Sequence, residues 1–168
     1  MGQWYGLTHQ REGFTLIELL IVISIITIII GIAVPLMLRT RMNVNETAAV
    51  GCVRTISTAE QAFRSAIILD ADGNGDGDYG ALQDLANPST GQQAPFIDPS
   101  LGSGAKHGYS FTIAVTPGTA TQTPAYECLA VPTSPGRTGV RQFFVDESSI
   151  IRFTADGSAP SVSSTPIG

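Results

Sequence analysis

The sequence predicts an α+β chain: one long N-terminal helix, first apolar all round and then amphipathic, packed on a small antiparallel β-sheet head. Three observations carry this. Leu19 to Leu38 hold no charged residue. Beyond Arg39, apolar residues recur at three- and four-residue steps, the period of one helix face. Four short strand-like runs then follow, separated by turn-forming residues.

Residues 1–13 are polar to mixed and unpatterned. Residues 14–38 are rich in Ile and Leu and long enough to cross a bilayer as a helix. The run is too long for the apolar core of a secretory signal, and Pro35 to Arg39 offer no small-x-small cleavage site. Charge counting leaves the orientation open. Arg11 sits beside Glu12 before the run, and Arg39 and Arg41 follow it. Gly31 and Pro35 lie in its second half, where proline removes an amide donor and can kink or locally unwind a helix. Glu18 stands at its mouth. A charge at the bilayer centre costs roughly 2.5–3.5 kcal/mol on insertion scales, so this carboxylate must stay near the interface or find a partner.

Residues 39–69 continue the helix. Ala49, Cys52, Val53, Ile56, Ala59, Phe63, Ala66 and Ile67 form one apolar stripe, with Arg54, Thr58, Gln61 and Ser65 largely on the other side. A single helix from about Phe14 to about Leu69, whole or broken near Pro35, would be roughly 80 Å long. Its second half needs a cover, and residues 70–168 supply one. "DADGNGDGDYG" (Asp70 to Gly80) ends the helix, and "YGALQDLA" reads as a short helix. Loops with Pro88, Pro95 and Pro99 lead to strands at Gly108–Val115, Tyr126–Val131, Arg141–Asp146 and Ile150–Thr154. Pro117-Gly118, Pro135-Gly136 and Glu147-Ser148-Ser149 connect them in a meander. The tail "SAPSVSSTPIG" reads as flexible.

Composition narrows the function. The chain has 168 residues, enough for one modest domain and an appendage. Its net charge is −5 with no Lys/Arg cluster, which argues against a nucleic-acid partner. His9 and His107 are the only histidines, and no serine sits in a nucleophile-elbow pattern. No constellation points to an enzyme.

The segment Gly13, Phe14-Thr15-Leu16-Ile17-Glu18 and the apolar run with Pro35 resembles the N-terminus of type IV pilin-like precursors, shared by type IV pilins and type II secretion pseudopilins. The resemblance is specific over about residues 11–38 and extends in architecture to the long helix and small sheet, the type IV pilin fold. "GYSFTIA", "YECLAVP" and "RQFFVDESSIIRF" are similar, less closely, to some pilin heads. It implies a leader at 1–13 that a membrane prepilin peptidase removes after Gly13, and N-methylation of Phe14. It further implies an inner-membrane helix with the head outside, an assembly platform, and helical self-polymerisation. Glu18 would then pair with the N-terminal ammonium of a neighbouring copy. Gly31 and Pro35 either let the helix melt locally on assembly or leave a harmless kink. Glu12 beside a single Arg11 departs from the commoner leader.

Two further clusters stay open. Cys52 lies on the apolar stripe and Cys128 on a strand face. Export favours a disulfide between them, for which the chain-entropy model gives about 4 kcal/mol. The other reading is two buried thiols. Asp70, Asp72, Asn74, Asp76 and Asp78 alternate oxygen donors with glycine, as calcium loops do. The twelfth position is Ala81 counting from Asp70 and Gln83 from Asp72, so the bidentate Glu is missing and Asp84 is the nearest substitute. Calcium is the only candidate cofactor; a flexible acidic loop is the alternative.

The leading expectation is a structural subunit of a type IV pilus, serving adhesion, motility or DNA uptake. The runner-up is a pseudopilin of a type II secretion system, which a calcium site would favour because major pseudopilins bind calcium in the head. An anchored periplasmic binding module would keep its leader and remain a monomer.

Overall fold

The computed structural model describes residues 13–88 and 94–167. Residues 1–12, which fall within the expected leader, lie outside the described residues. The chain divides into two compact units, Met1–Leu38 and Arg39–Gly168.

Helix α1 spans Leu16–Ser65 with Pro35 inside it. Secondary structure is helical on both sides of Pro35, so the expected option of a break there is not seen. The proline still leaves the Gly31 carbonyl without its usual i+4 amide. Among the described residues of the first unit the apolar side chains are all exposed. Between Leu19 and Leu38 the hydroxyls turn back onto the helix: Ser24 Oγ donates to the Leu20 carbonyl and Thr27 Oγ1 to the Ile23 carbonyl, both at 2.7 Å. The surface this run presents is therefore apolar, with its polar groups satisfied internally.

In the second unit α1 buries Ala49, Cys52, Val53, Ile56, Ala59 and Phe63, the stripe read from the sequence. Ala66 and Ile67, expected to continue it, lie beyond the helix end and are exposed. The helix stops because Ile67 takes a left-handed φ of 49°, its amide bonding the Arg64 carbonyl at 3.0 Å, which turns the chain off the axis. Short helices α2 (Leu82–Ala86) and α3 (Pro99–Gly102) follow. Asp98 caps α3 by accepting from the Ser100 and Leu101 amides.

The sheet is a six-stranded antiparallel meander in chain order: β1 Ala105–Lys106, β2 Tyr109–Thr116, β3 Ala125–Pro132, β4 Gln142–Asp146, β5 Arg152–Thr154 and β6 Thr165–Pro166. The four expected strands are β2 to β5, shifted by a residue or two at their ends. β1 and β2 are joined by His107-Gly108, both with positive φ (51° and 73°), the mirror-image turn whose twist suits a two-residue hairpin. The register sets Phe111 opposite Ala130 and Cys128 opposite Val145. Alternate residues Tyr109, Phe111, Tyr126, Cys128 and Ala130, with Phe143 and Val145, form the core with the α1 stripe.

The tail corrects the expectation of flexibility. Thr165 and Pro166 pair with Phe153 and Arg152 as β6. The Ile167 amide bonds the Ile151 carbonyl at 2.8 Å, and Arg152 Nη1 bonds the Ser164 carbonyl at 3.0 Å. Small polar residues gave no apolar signal, but β5 offers an unpaired edge and Ile167 packs against the core.

Candidate processing and assembly site

Gly13 and Phe14 precede the helix. A Cβ at Gly13 would meet nothing within 4 Å, and Phe14 is 94% exposed, so the peptide between them is open to an approaching protein. Thr15 is the N-cap. Its amide and its Oγ1 donate to Glu18 Oε2 at 2.8 and 2.7 Å, and its Oγ1 accepts from the Glu18 amide at 3.2 Å. This reciprocal pair is a capping box, which satisfies two of the donors that every helix start leaves open. The carboxylate that reads as bare in the sequence is thus held by its own turn. It faces the helix N-terminus, where the macrodipole favours negative charge. Thr15-Leu16-Ile17-Glu18 carries the S/T-x-x-E signal for this box, and Thr15 is the site residue the sequence reading passed over.

Two more glutamates of α1 lie on its buried face. Glu46 joins the helix to the approach to β4. Its Oε1 accepts the Val140 and Arg141 amides at 2.8 and 3.2 Å, and its Oε2 accepts Arg141 Nε at 2.6 Å. Burial pushes the Glu46 carboxyl up, but those amides and the guanidinium outweigh it and hold it below the usual range. Arg141 also lies over the Phe143 and Phe153 rings, 5.8 and 5.6 Å from their centroids. Glu60 is fully buried; its Oε2 accepts the Gly80 amide at 3.0 Å.

The acidic turn is hydrogen-bonded within itself. Asp70 accepts the amides of Gly73, Asn74 and Gly75, and Asp72 accepts the amide and side-chain Nδ2 of Asn74. Asn74 Oδ1 accepts the Asp76 amide at 2.6 Å. Asp78, nearly fully buried, accepts the Ala71 and Gly118 amides at 2.8 and 2.7 Å. Oxygens of Asp70, Asp72, Asn74 and Asp78 thus accept backbone amides, and Asp72 Oδ2 accepts the Asn74 side chain. Among the described residues no three acidic, His or Cys side chains are grouped to hold a metal. The Gly75 amide, followed by its neighbours, holds the Asp70 carboxyl below its usual range.

Cys52 and Cys128 are both buried and both free, so the expected disulfide is not formed. Burial pushes the Cys128 thiol up to about 12, the state of an inert core cysteine. His107 is exposed in its hairpin turn.

Residues 8–34 match the family described as the prokaryotic N-terminal methylation motif. No curated protein and no solved structure gives a match to the chain. The motif covers Gly13, Phe14, Thr15 and Glu18, and it implies processing by a prepilin peptidase and assembly into a pilus or pseudopilus. Motif and apolar helix together fit an inner-membrane protein before assembly. The chain thus carries the prepilin-type N-terminal methylation motif, consistent with a type IV pilin-like family, of the pilin or pseudopilin kind.

Proposed function

We propose that the chain is the structural subunit of a type IV pilus, polymerised through its N-terminal helix after cleavage at Gly13 and N-methylation of Phe14. The observation that supports this reading is the joining of the methylation motif at 8–34 to a helix whose apolar side chains are uncovered on every side from Leu16 to Leu38. Lipid covers that surface before assembly, and the same segment of other copies covers it afterwards. Leaving lipid gains no hydrophobic energy in itself, since lipid tails are as apolar as leucine. Packing and polar pairing must therefore favour the polymer. Glu18 supplies the polar pair: released from its capping box, the carboxylate accepts the methylated ammonium of a neighbouring copy in register. A misregistered copy leaves that charge unpaired in an apolar surrounding, which selects against it. Gly31 and Pro35 supply the point at which the helix loosens as copies pack.

The test is mass spectrometry on filaments sheared from whole cells and, separately, on the membrane fraction. The proposal expects the peptide beginning at N-methylated Phe14 to be abundant in the sheared material. The processed peptide confined to membranes would instead favour a pseudopilin. Residues 1–13 still attached in every fraction would favour an anchored module.

A further inference from the structure

Glu60 is a buried acid for which assembly has no use. It lies on the core face of α1 between Ile56 and Phe63, fully enclosed. Its Oε2 accepts the Gly80 amide, while Oε1 has no hydrogen-bond partner among the described residues. The charged groups around it offer no compensation. On α1, Arg64 turns away to the Gly77 carbonyl at 3.0 Å and the Tyr79 hydroxyl at 3.3 Å. From α2, the Asp84 carboxylate bears on it with like charge. From β3 it is faced by Tyr126 and Cys128, both held neutral by burial. In the preceding loop, the Asp78 carboxylate is taken up by the Ala71 and Gly118 amides. Burial, partly opposed by the Gly80 amide and reinforced by Asp84, raises the Glu60 carboxyl to about 7.

The segment that Glu60 holds is pressed close to the helix. A Cβ at Gly77 would collide with the Arg64 carbonyl, and one at Gly80 would meet the Phe63 ring at 3.1 Å. Residues 77–80 are buried, whereas the acidic turn just before them is largely exposed. Two side chains of α1 fasten this strap: Arg64 at Gly77 and Glu60 at Gly80. A guanidinium keeps its charge throughout the accessible pH range, so of these two α1 fastenings only that of Glu60 can change with pH.

We propose that Glu60 is a protonation-dependent latch: as a neutral acid it holds the 77–80 strap against α1, and as a carboxylate it releases it. The proton leaves Oε1 to solvent. What remains is a buried anion with one hydrogen bond, no cation, and Asp84 nearby. Opening the strap admits water to that anion and frees the acidic turn attached to it.

The test is hydrogen–deuterium exchange on the full-length chain in detergent micelles at about pH 5.5 and about pH 8.5, on either side of neutrality. Rates are corrected for intrinsic exchange. Protection of a peptide covering 77–81 should fall about tenfold or more at the higher pH, while β3 peptides keep theirs. Glu60→Gln should hold the strap at both pH values. Equal protection of the wild type at both, or parallel loss in Glu60→Gln, overturns the latch. Infrared spectra of the wild type give an independent reading: a protonated-carboxyl band must be present at the lower pH and lost at the higher. A carboxylate ionised at both also overturns it.

Discussion

From Leu16 to Leu38 helix α1 exposes its apolar side chains on every side, whereas from Glu46 to Phe63 the same helix buries one stripe and leaves the rest in water. The glutamates repeat the contrast. Glu18 is exposed and satisfied within its own turn, and Glu46 is buried and satisfied by a distant loop. Glu60 is buried with one oxygen unsatisfied among the described residues. The comparison teaches that the head is complete on its own sequence, while the N-terminal unit is complete only when something outside the chain covers it. Substitutions in the first unit should therefore disturb assembly and leave head stability alone, and substitutions in the second should do the reverse.

The largest expected effect lies at the cleavage site. Gly13→Leu places a branched side chain where the backbone is bare, which blocks close approach by a peptidase. We expect the 1–13 leader to stay attached, with no filaments in the sheared fraction, while the head melts at its wild-type temperature. Mass and calorimetry read the two arms separately.

Next is the core of the second unit. Phe63 is 1% exposed and packs edge-on to Phe96 at a centroid distance of 5.7 Å. Phe63→Ala should destabilise the head by about 3–5 kcal/mol in denaturant titration of the full chain in detergent. Leader removal should persist, since the cut lies in the other unit.

Smaller effects separate the two buried glutamates by pH. The Glu46 carboxyl is lowered in the folded chain, so its contribution is present above about 4.5 and is lost as pH falls through the folded value. The Glu60 carboxyl is raised to about 7, so its contribution is present below about 4.5 and is lost as pH rises to 7. Glu46→Gln should flatten the acid limb of the stability curve and cost about 1–3 kcal/mol at neutral pH, where buried donors lose a charged acceptor. Glu60→Gln should flatten the limb between 4.5 and 7 and raise stability at pH 8. Identical curves for the two variants would break the distinction.

The smallest effect concerns the thiols. Reductant should leave the melting temperature of the exported chain unchanged, because Cys52 and Cys128 are free. A drop of several degrees would mean that they pair.

Legibility followed the length of the pattern. The α1 stripe was readable because each turn of helix repeats it, and β2 announced itself through Tyr109, Phe111, Ile113 and Val115. β1 and β6 were not readable, since two residues have no period and owe their strand character to β2 and β5. Glu46 and Glu60 stand in register with Ala49, Val53, Ile56 and Phe63, so the sequence marked acids at core positions. Their partners, Val140, Arg141 and Gly80, are distant in sequence and emerged only with the fold. Cys52 and Cys128 were legible as residues of apolar faces, which left a disulfide and two buried thiols both open, and the fold keeps both buried and free. Thr15 was legible through its spacing from Glu18, whereas the reciprocal geometry that occupies the carboxylate needed the structure.

The most direct test of the central claim is Glu18→Ala, followed by quantifying the subunit in inner membranes and in sheared filaments of the same cells. The account predicts normal membrane insertion, normal leader removal and loss of filaments. Wild-type filament yield from Glu18→Ala would contradict it, because the polymer would then need no carboxylate at the mouth of its apolar helix.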